Sequence, residues 1–243
     1  MLEDFALVVA HPDDEILWFS SVLDRAKAVH ICFLPVASKP EWTRGREQSL
    51  ARYPLENIDT LGLTEGEVFS GVEWECPVPT SYGLAVTRGI RSDHRYRANY
   101  DLLVTKLRER LVGCRQVLTH NPWGESGHLE HVQVYRAVMT LKAELGFDVW
   151  VGNYASNKSM PLMLGSRSLL TRPGITLATN PQLAEKIARI YQENDCWTWF
   201  ADYQWTETET FFAVSEDETA EPELGRILPV NLVSVAPPRT PRH

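Results

Sequence analysis

Two short segments of this chain concentrate side chains that could hold a metal ion and move protons. "AHPDDE" (10–15) places His11, Asp13 and Asp14 directly after an apolar run, and "THNPWGESGHLEH" (119–131) ends with His128 and His131. The two histidines are three apart at the start of an expected helix, so they share a face. A hydrolytic zinc site usually takes three protein ligands of the His, Asp or Glu type and leaves a position for water. The metal lowers that water's pKa to roughly 7, making a nucleophile at neutral pH. Two histidines and one carboxylate would form such a ligand set. The remaining carboxylate could take the water's proton, and the remaining histidine could protonate a leaving group. Five residues fill five roles.

Each residue also has an ordinary reading. An isolated histidine is most often solvated or hydrogen-bonded, and H-x-x-H alone is a weak metal signal. H-P-D-D alone could be a capping turn, since aspartate caps helices well. Occurring together, each beside the end of an expected strand, the segments favour a metal site.

The elements between them explain how they would meet. "FALVVA" (5–10) is a β-branched apolar run suited to a strand buried on both faces. "DDEILWFSSVLDRAK" follows with Ile16, Phe19 and Leu23 at helical spacing, and "AVHICFLPVA" (28–37) reads as a second buried strand. Residues 41–62 look mainly helical, with Pro54 expected to kink or divide them, and 66–96 give no clear pattern. A helix is expected over 97–112, a strand over 115–120, a helix over about 128–145, strands over 148–154 and 175–179, and a helix over 181–194. Strands alternating with helices predict an α/β fold: a mostly parallel sheet with helices on both faces. In such sheets ligands bind outside the carboxyl ends of the strands, which is where both loaded loops should open. Residues 1–214 read as one domain, and 215–243, acidic and then proline-rich, as a tail lying along it.

Composition bounds the function. The chain has 243 residues, 44% hydrophobic, 23% charged and a net charge of −8. The charge argues against a general nucleic-acid binder. No segment approaches the ~20 apolar residues of a membrane span, and the acidic start does not resemble a signal peptide. A cytoplasmic location is expected, with peripheral membrane contact left open. The four cysteines are scattered without a C-x-x-C pair, which disfavours a structural zinc site or a disulfide framework.

"AHPDDE" with a downstream "GH-x-x-H" resembles the paired signature of the LmbE-like, PIG-L-type N-acetylglucosamine deacetylases. "THNPWGESGHLEHVQVYRAV" is similar to that family's second motif over its whole length. The resemblance covers about residues 5 to 154. It implies a Rossmann-like fold and zinc-dependent removal of N-acetyl groups from GlcNAc-containing sugars, glycoconjugates or glycolipids, with another divalent metal such as Fe2+ as an alternative. It implies His11, Asp14 and His131 as metal ligands, Asp13 as general base, and His128 as the group that stabilises the oxyanion and protonates the amine. "RGRE" (44–47) matches an R-x-x-E segment whose arginine contacts substrate, so Arg44 is the expected contact. An ion pair within the helix is the ordinary alternative. Leu129 and Glu130 depart from the Pro-Asp common between the motif histidines, and "ILWFSS" (16–21) replaces glycines found in many bacterial members.

Other features are weaker. Asn121 and Glu125 are expected to position His128 or to bind substrate. Arg88, Arg91, Arg95 and Arg97 could seat a phosphate or meet anionic headgroups, against a reading as a solvated loop. The aromatic stretch 193–212 could form a lip over a cleft, against simple packing of the C-terminal segment. A serine hydrolase is disfavoured because Gly127 directly follows Ser126, so G-x-S-x-G is not met. A dinucleotide oxidoreductase is disfavoured because G-x-G-x-x-G is missing. An amidase for another small amide conjugate, and a non-catalytic sugar- or metal-binding module, remain as alternatives.

Overall fold

A computed structural model describes residues 2–88, 90–170, 174–215, 225 and 227–235, with the side chains of 90–92 outside that description. The strands are β1 (Phe5–Val9), β2 (Ala28–Phe33), β3 (Ile58–Leu63), β4 (Pro79–Thr80), β5 (Gly83–Leu84), β6 (Gln116–Thr119), β7 (Asp148–Gly152), β8 (Tyr154–Ser156), β9 (Ile175–Ala178), β10 (Thr208–Ala213) and β11 (Asn231–Val233). The helices are α1 (Asp14–Trp18), α2 (Pro40–Ala51), α3 (Ile90–Leu111), α4 (Leu129–Leu145), α5 (Met160–Gly165) and α6 (Pro181–Glu193).

Seven strands form the central sheet in the order β3-β2-β1-β6-β7-β10-β9. β1, β2, β3, β6 and β7 run parallel, while β10 is antiparallel to both β7 and β9. β1 shows why both faces are covered. Side chains alternate along a strand, so Phe5, Leu7 and Val9 join the apolar layer containing residues of α1 and α6. Ala6, Val8 and Ala10 join the opposite layer with Leu103, Leu107 and Leu111 of α3 and Val134, Val138 and Leu141 of α4. The expected mostly parallel α/β sheet with helices on both faces is the architecture observed. The chain first builds outward from β1 through β2 to β3 and then returns to the other side of β1 with β6. That reversal opens a crevice at the carboxyl ends of β1 and β6.

Three local expectations are corrected. Residues 41–62 are not mainly helical: α2 stops at Ala51 and β3 begins at Ile58, with Pro54 in the break. The helix after β1 has only five residues. The amides of Ser20 and Ser21 donate to the Glu209 carboxylate at 3.2 and 3.0 Å instead of extending it. The strand expected over 148–154 divides into β7 and β8. Within the proposed tail, β11 pairs in parallel with β8, while 216–224, 226 and 236–243 lie outside the described residues.

Candidate metal and catalytic site

β1 and β6 are neighbours, so their loops share one end of the sheet. The Ala10 amide donates to His120 Nε2 at 2.8 Å, and Thr119 Oγ1 donates to the Val8 carbonyl at 3.0 Å. These bonds lock the two loops together. His11, Asp13, Asp14, His128 and His131, the five residues singled out from sequence, then line one cavity of about 410 Å³.

Asp14 is the junction. Its Oδ2 lies 3.2 Å from His11 Nδ1 and its Oδ1 lies 3.2 Å from His131 Nε2. Each histidine is anchored through its other nitrogen: His11 Nε2 to Glu130 Oε2 at 2.9 Å, and His131 Nδ1 to Glu125 Oε2 at 2.9 Å. An ionised carboxylate can only accept, so each anchor takes a ring N–H and leaves the nitrogen facing Asp14 bare in the neutral ring. Both ring nitrogens thus meet Asp14, and the overlapping groups His11–His128–His131 and Asp14–His120–His131 each bring one ligand atom per residue within 4.8 Å of the others, close enough to share a cation. The mixed nitrogen and oxygen donors suit a zinc-type divalent ion, with Fe2+ also compatible, and the carboxylate–histidine anchoring is what metal sites use to orient ligands. The donor set therefore fits the implied metal.

The site's charges follow from this crowding. Burial opposes the charge on Asp14, but His131, followed by His11 and His120, outweighs it and holds the carboxyl well below its ordinary range. Asp13 is pushed up to about 8 by burial and then by Asp14. Asp13 caps α1 in a left-handed backbone conformation (φ 96°). That geometry sends its carboxylate away from Asp14's partners: Oδ2 accepts from the Thr198 hydroxyl at 2.5 Å. His128 caps α4, and its Nδ1 accepts from the Glu130 amide at 3.3 Å. The neutral ring consequently carries its proton on Nε2. Burial, reinforced by His11 and His131, holds its pKa well below that of an ordinary histidine.

Three expected substrate contacts do not line the cavity. Arg44 is exposed on α2, whereas Arg46 is buried, lines the cavity and donates to Glu65 at 2.5 Å. A two-residue step on a helix turns a side chain to another face, which separates these arginines. Asn121 is fully buried, donating to the carbonyls of Gly152 and Tyr154 and accepting from the Glu125 amide. Glu125 is buried behind the metal site and orients His131 and His120, not His128. Sequence reading missed His120, whose only signal was its place at the end of an apolar strand run. Glu130, one of the two departures from Pro-Asp between the motif histidines, is the residue that anchors His11.

Of the arginine cluster, Arg88 pairs with Glu73, Arg95 with Glu67 and Arg97 with Asp93. Arg91's side chain lies outside the described residues. In the aromatic stretch, Trp199 lines the cavity beside Thr198. No helix among the described residues is long and apolar enough to cross a membrane.

No protein-family model matches the chain. It is 29% identical over 141 residues to N-acetylglucosaminyl-phosphatidylinositol de-N-acetylase of Bos taurus, covering 57% of this chain and 50% of that protein. The chain thus spans about half the length of this curated relative. Among solved structures, a deacetylase–teicoplanin complex from teicoplanin biosynthesis superposes with a TM-score of 0.54 at 14% identity, over 87% of this chain and 99% of the other. The zinc-inhibited form of teicoplanin deacetylase gives 0.53 at 13% identity, with the same coverage. These superpositions show a shared fold. In its two loop motifs and in this sequence match, the chain is similar to the PIG-L/LmbE-like deacetylases, and it shares their fold.

Proposed function

We propose that this chain is a metal-dependent N-deacetylase acting on a GlcNAc-containing sugar, glycoconjugate or glycolipid precursor. The observation that carries the reading is the clasp of Asp14 between His11 and His131, with Asp13 and His128 lining the same cavity. A divalent metal held by His11, Asp14 and His131 would supply the positive charge that acidifies water and polarises the amide carbonyl. Asp13, kept basic by burial, takes the water's proton as its oxygen bonds to the acetyl carbon. His128 donates from Nε2 toward the oxygen on which negative charge develops. The carbon–nitrogen bond then breaks as the sugar amine takes the proton that Asp13 received from the water, and acetate leaves. Arg46 replaces Arg44 as the arginine within reach of a bound substrate. The metal is zinc in this reading. The match to an N-acetylglucosaminyl-phosphatidylinositol de-N-acetylase supports the sugar class.

The test is metal analysis of the purified chain, followed by acetate release from a panel of free, nucleotide-linked and lipid-linked GlcNAc derivatives. About one divalent ion per chain and chelator-sensitive acetate release are expected. Turnover that survives complete metal removal, or no acetate from any member of the panel, would overturn the proposal.

A further inference from the structure

The two carboxylate oxygens of Asp13 stand in different surroundings. Oδ2 accepts from the Thr198 hydroxyl at 2.5 Å and from the Thr198 amide at 3.2 Å. Both donors come from a single residue far along the chain that also lines the cavity. The backbone of Asp13 is held separately: its amide donates to Glu15 Oε2 at 3.0 Å, and Glu15 Oε1 accepts from Tyr53 and Tyr191 at 3.0 and 2.8 Å. Backbone and side chain are therefore fixed by different elements.

Thr198 is itself fixed by the turn after α6. The Cys196 amide returns to the Tyr191 carbonyl at 3.0 Å. Asn194 Nδ2 donates to the Ile190 carbonyl at 2.8 Å and to Ser49 Oγ on α2 at 3.1 Å. Gly45 on α2 allows this close approach, because a methyl group there would overlap the Asn194 carbonyl oxygen.

We propose that Thr198 is the positioning residue for the general base. Its paired donors hold Asp13 in one rotamer with Oδ2 occupied, and leave Oδ1 as the atom that receives the water's proton. This inference rests on the deacetylase reading above. Two donors on one oxygen define the plane of the carboxylate as well as its direction, and proton transfer is sensitive to both. Without the hydroxyl, the amide alone holds Oδ2 at the longer distance, and the carboxylate can rotate toward its like-charged neighbour Asp14. The cost should fall on the proton-transfer step and leave substrate binding and the metal ligands untouched.

The experiment compares Thr198→Val, which keeps the branched shape but removes the hydroxyl donor, with Thr198→Ser, which retains it. For Thr198→Val we expect kcat to fall by roughly tenfold or more with KM and metal content unchanged, a pattern of lost transition-state stabilisation. Thr198→Ser should return kcat to within about threefold of wild type. In an Asp13→Asn background, Thr198→Val should add no further loss, because residues acting through one another are not additive. Wild-type kcat in Thr198→Val, equal impairment in the serine variant, or a fully additive double variant would each overturn the role of Thr198 while leaving the deacetylase reading intact. A wild-type chain that releases no acetate overturns that reading, and the role of Thr198 with it.

Discussion

Glu125 Oε2 lies 2.9 Å from His131 Nδ1, and the same oxygen lies 2.9 Å from His120 Nδ1. One buried carboxylate oxygen thereby sets the orientation of two stacked imidazoles whose ring centres are 3.9 Å apart. Glu125→Gln replaces an acceptor-only group with one that is half donor. His131 can then lose the N–H bond that keeps its Nε2 bare toward Asp14. We expect metal affinity to fall by about 10–100-fold, the usual cost of losing such an anchor. Competition against a calibrated chelator measures it, and unchanged affinity would contradict the anchoring role.

Asp13 and Asp14 are adjacent, yet substitution should separate them. Asp14→Asn removes the junction between His11 and His131 and should lower metal content and turnover together. Asp13→Asn leaves the three donors in place but cannot take a proton. It should retain metal and substrate affinity while kcat falls by roughly 10²–10⁴-fold. Metal analysis beside steady-state kinetics on both variants distinguishes them, and near-normal turnover in Asp13→Asn would refute its role as base.

Gly45→Ala sets two effects against each other. Alanine favours a helix over glycine by about 1 kcal/mol. Its methyl group would overlap the Asn194 carbonyl oxygen and meet Cys196 Cβ at 3.0 Å. The obstacle is backbone and cannot swing aside, so overpacking of about 1–3 kcal/mol should prevail. Urea unfolding should show a net loss of stability. A stabilised variant would mean that α2 and the turn after α6 are less tightly apposed.

Lys158 gives a pH signature away from the metal ligands. Its Nζ donates to the Gly127 carbonyl at 2.8 Å and lies over the rings of Phe69 and Trp74. Burial pushes its pKa down to about 8. The unfolded chain, with a lysine near 10.4, therefore binds more protons between those values. This group's contribution to stability is least favourable below pH 8 and improves as pH rises from there toward 10.4. Lys158→Met should remove that rise, which thermal melts from pH 7 to 10 will show. An unchanged pH dependence would mean the amine is solvated.

The legible parts of the sequence were those where residue type alone carries chemistry. His11, Asp13, Asp14, His128 and His131 stand out because acids and histidines seldom follow buried strands without a task. The parallel core strands were readable from their apolar runs. β3, at the sheet edge, was not, because "IDTLGL" (58–63) mixes polar and apolar side chains and follows a helix-like segment. The length of α1 depended on Glu209, remote in sequence and close in space. Arg46 was hidden by its neighbour Arg44, although Gly45, Arg46 and Ser49 form the buried side of α2. Thr198 gave no signal at all, since a lone threonine acquires meaning only from what it touches.

The reversal of strand order at β1 also has a kinetic consequence. The bond from the Ala10 amide to His120 joins residues 110 apart, so the two halves of the site meet only after a long loop has closed. Pairings of such separation form slowly, because chain entropy is lost before the contacts compensate for it. Local helices and the β1–β2 pairing can form while the metal-holding groups are still far apart. During refolding, a metal-sensitive spectroscopic probe at this site should therefore report the docking of β6 on β1, lagging behind the gain of helical signal.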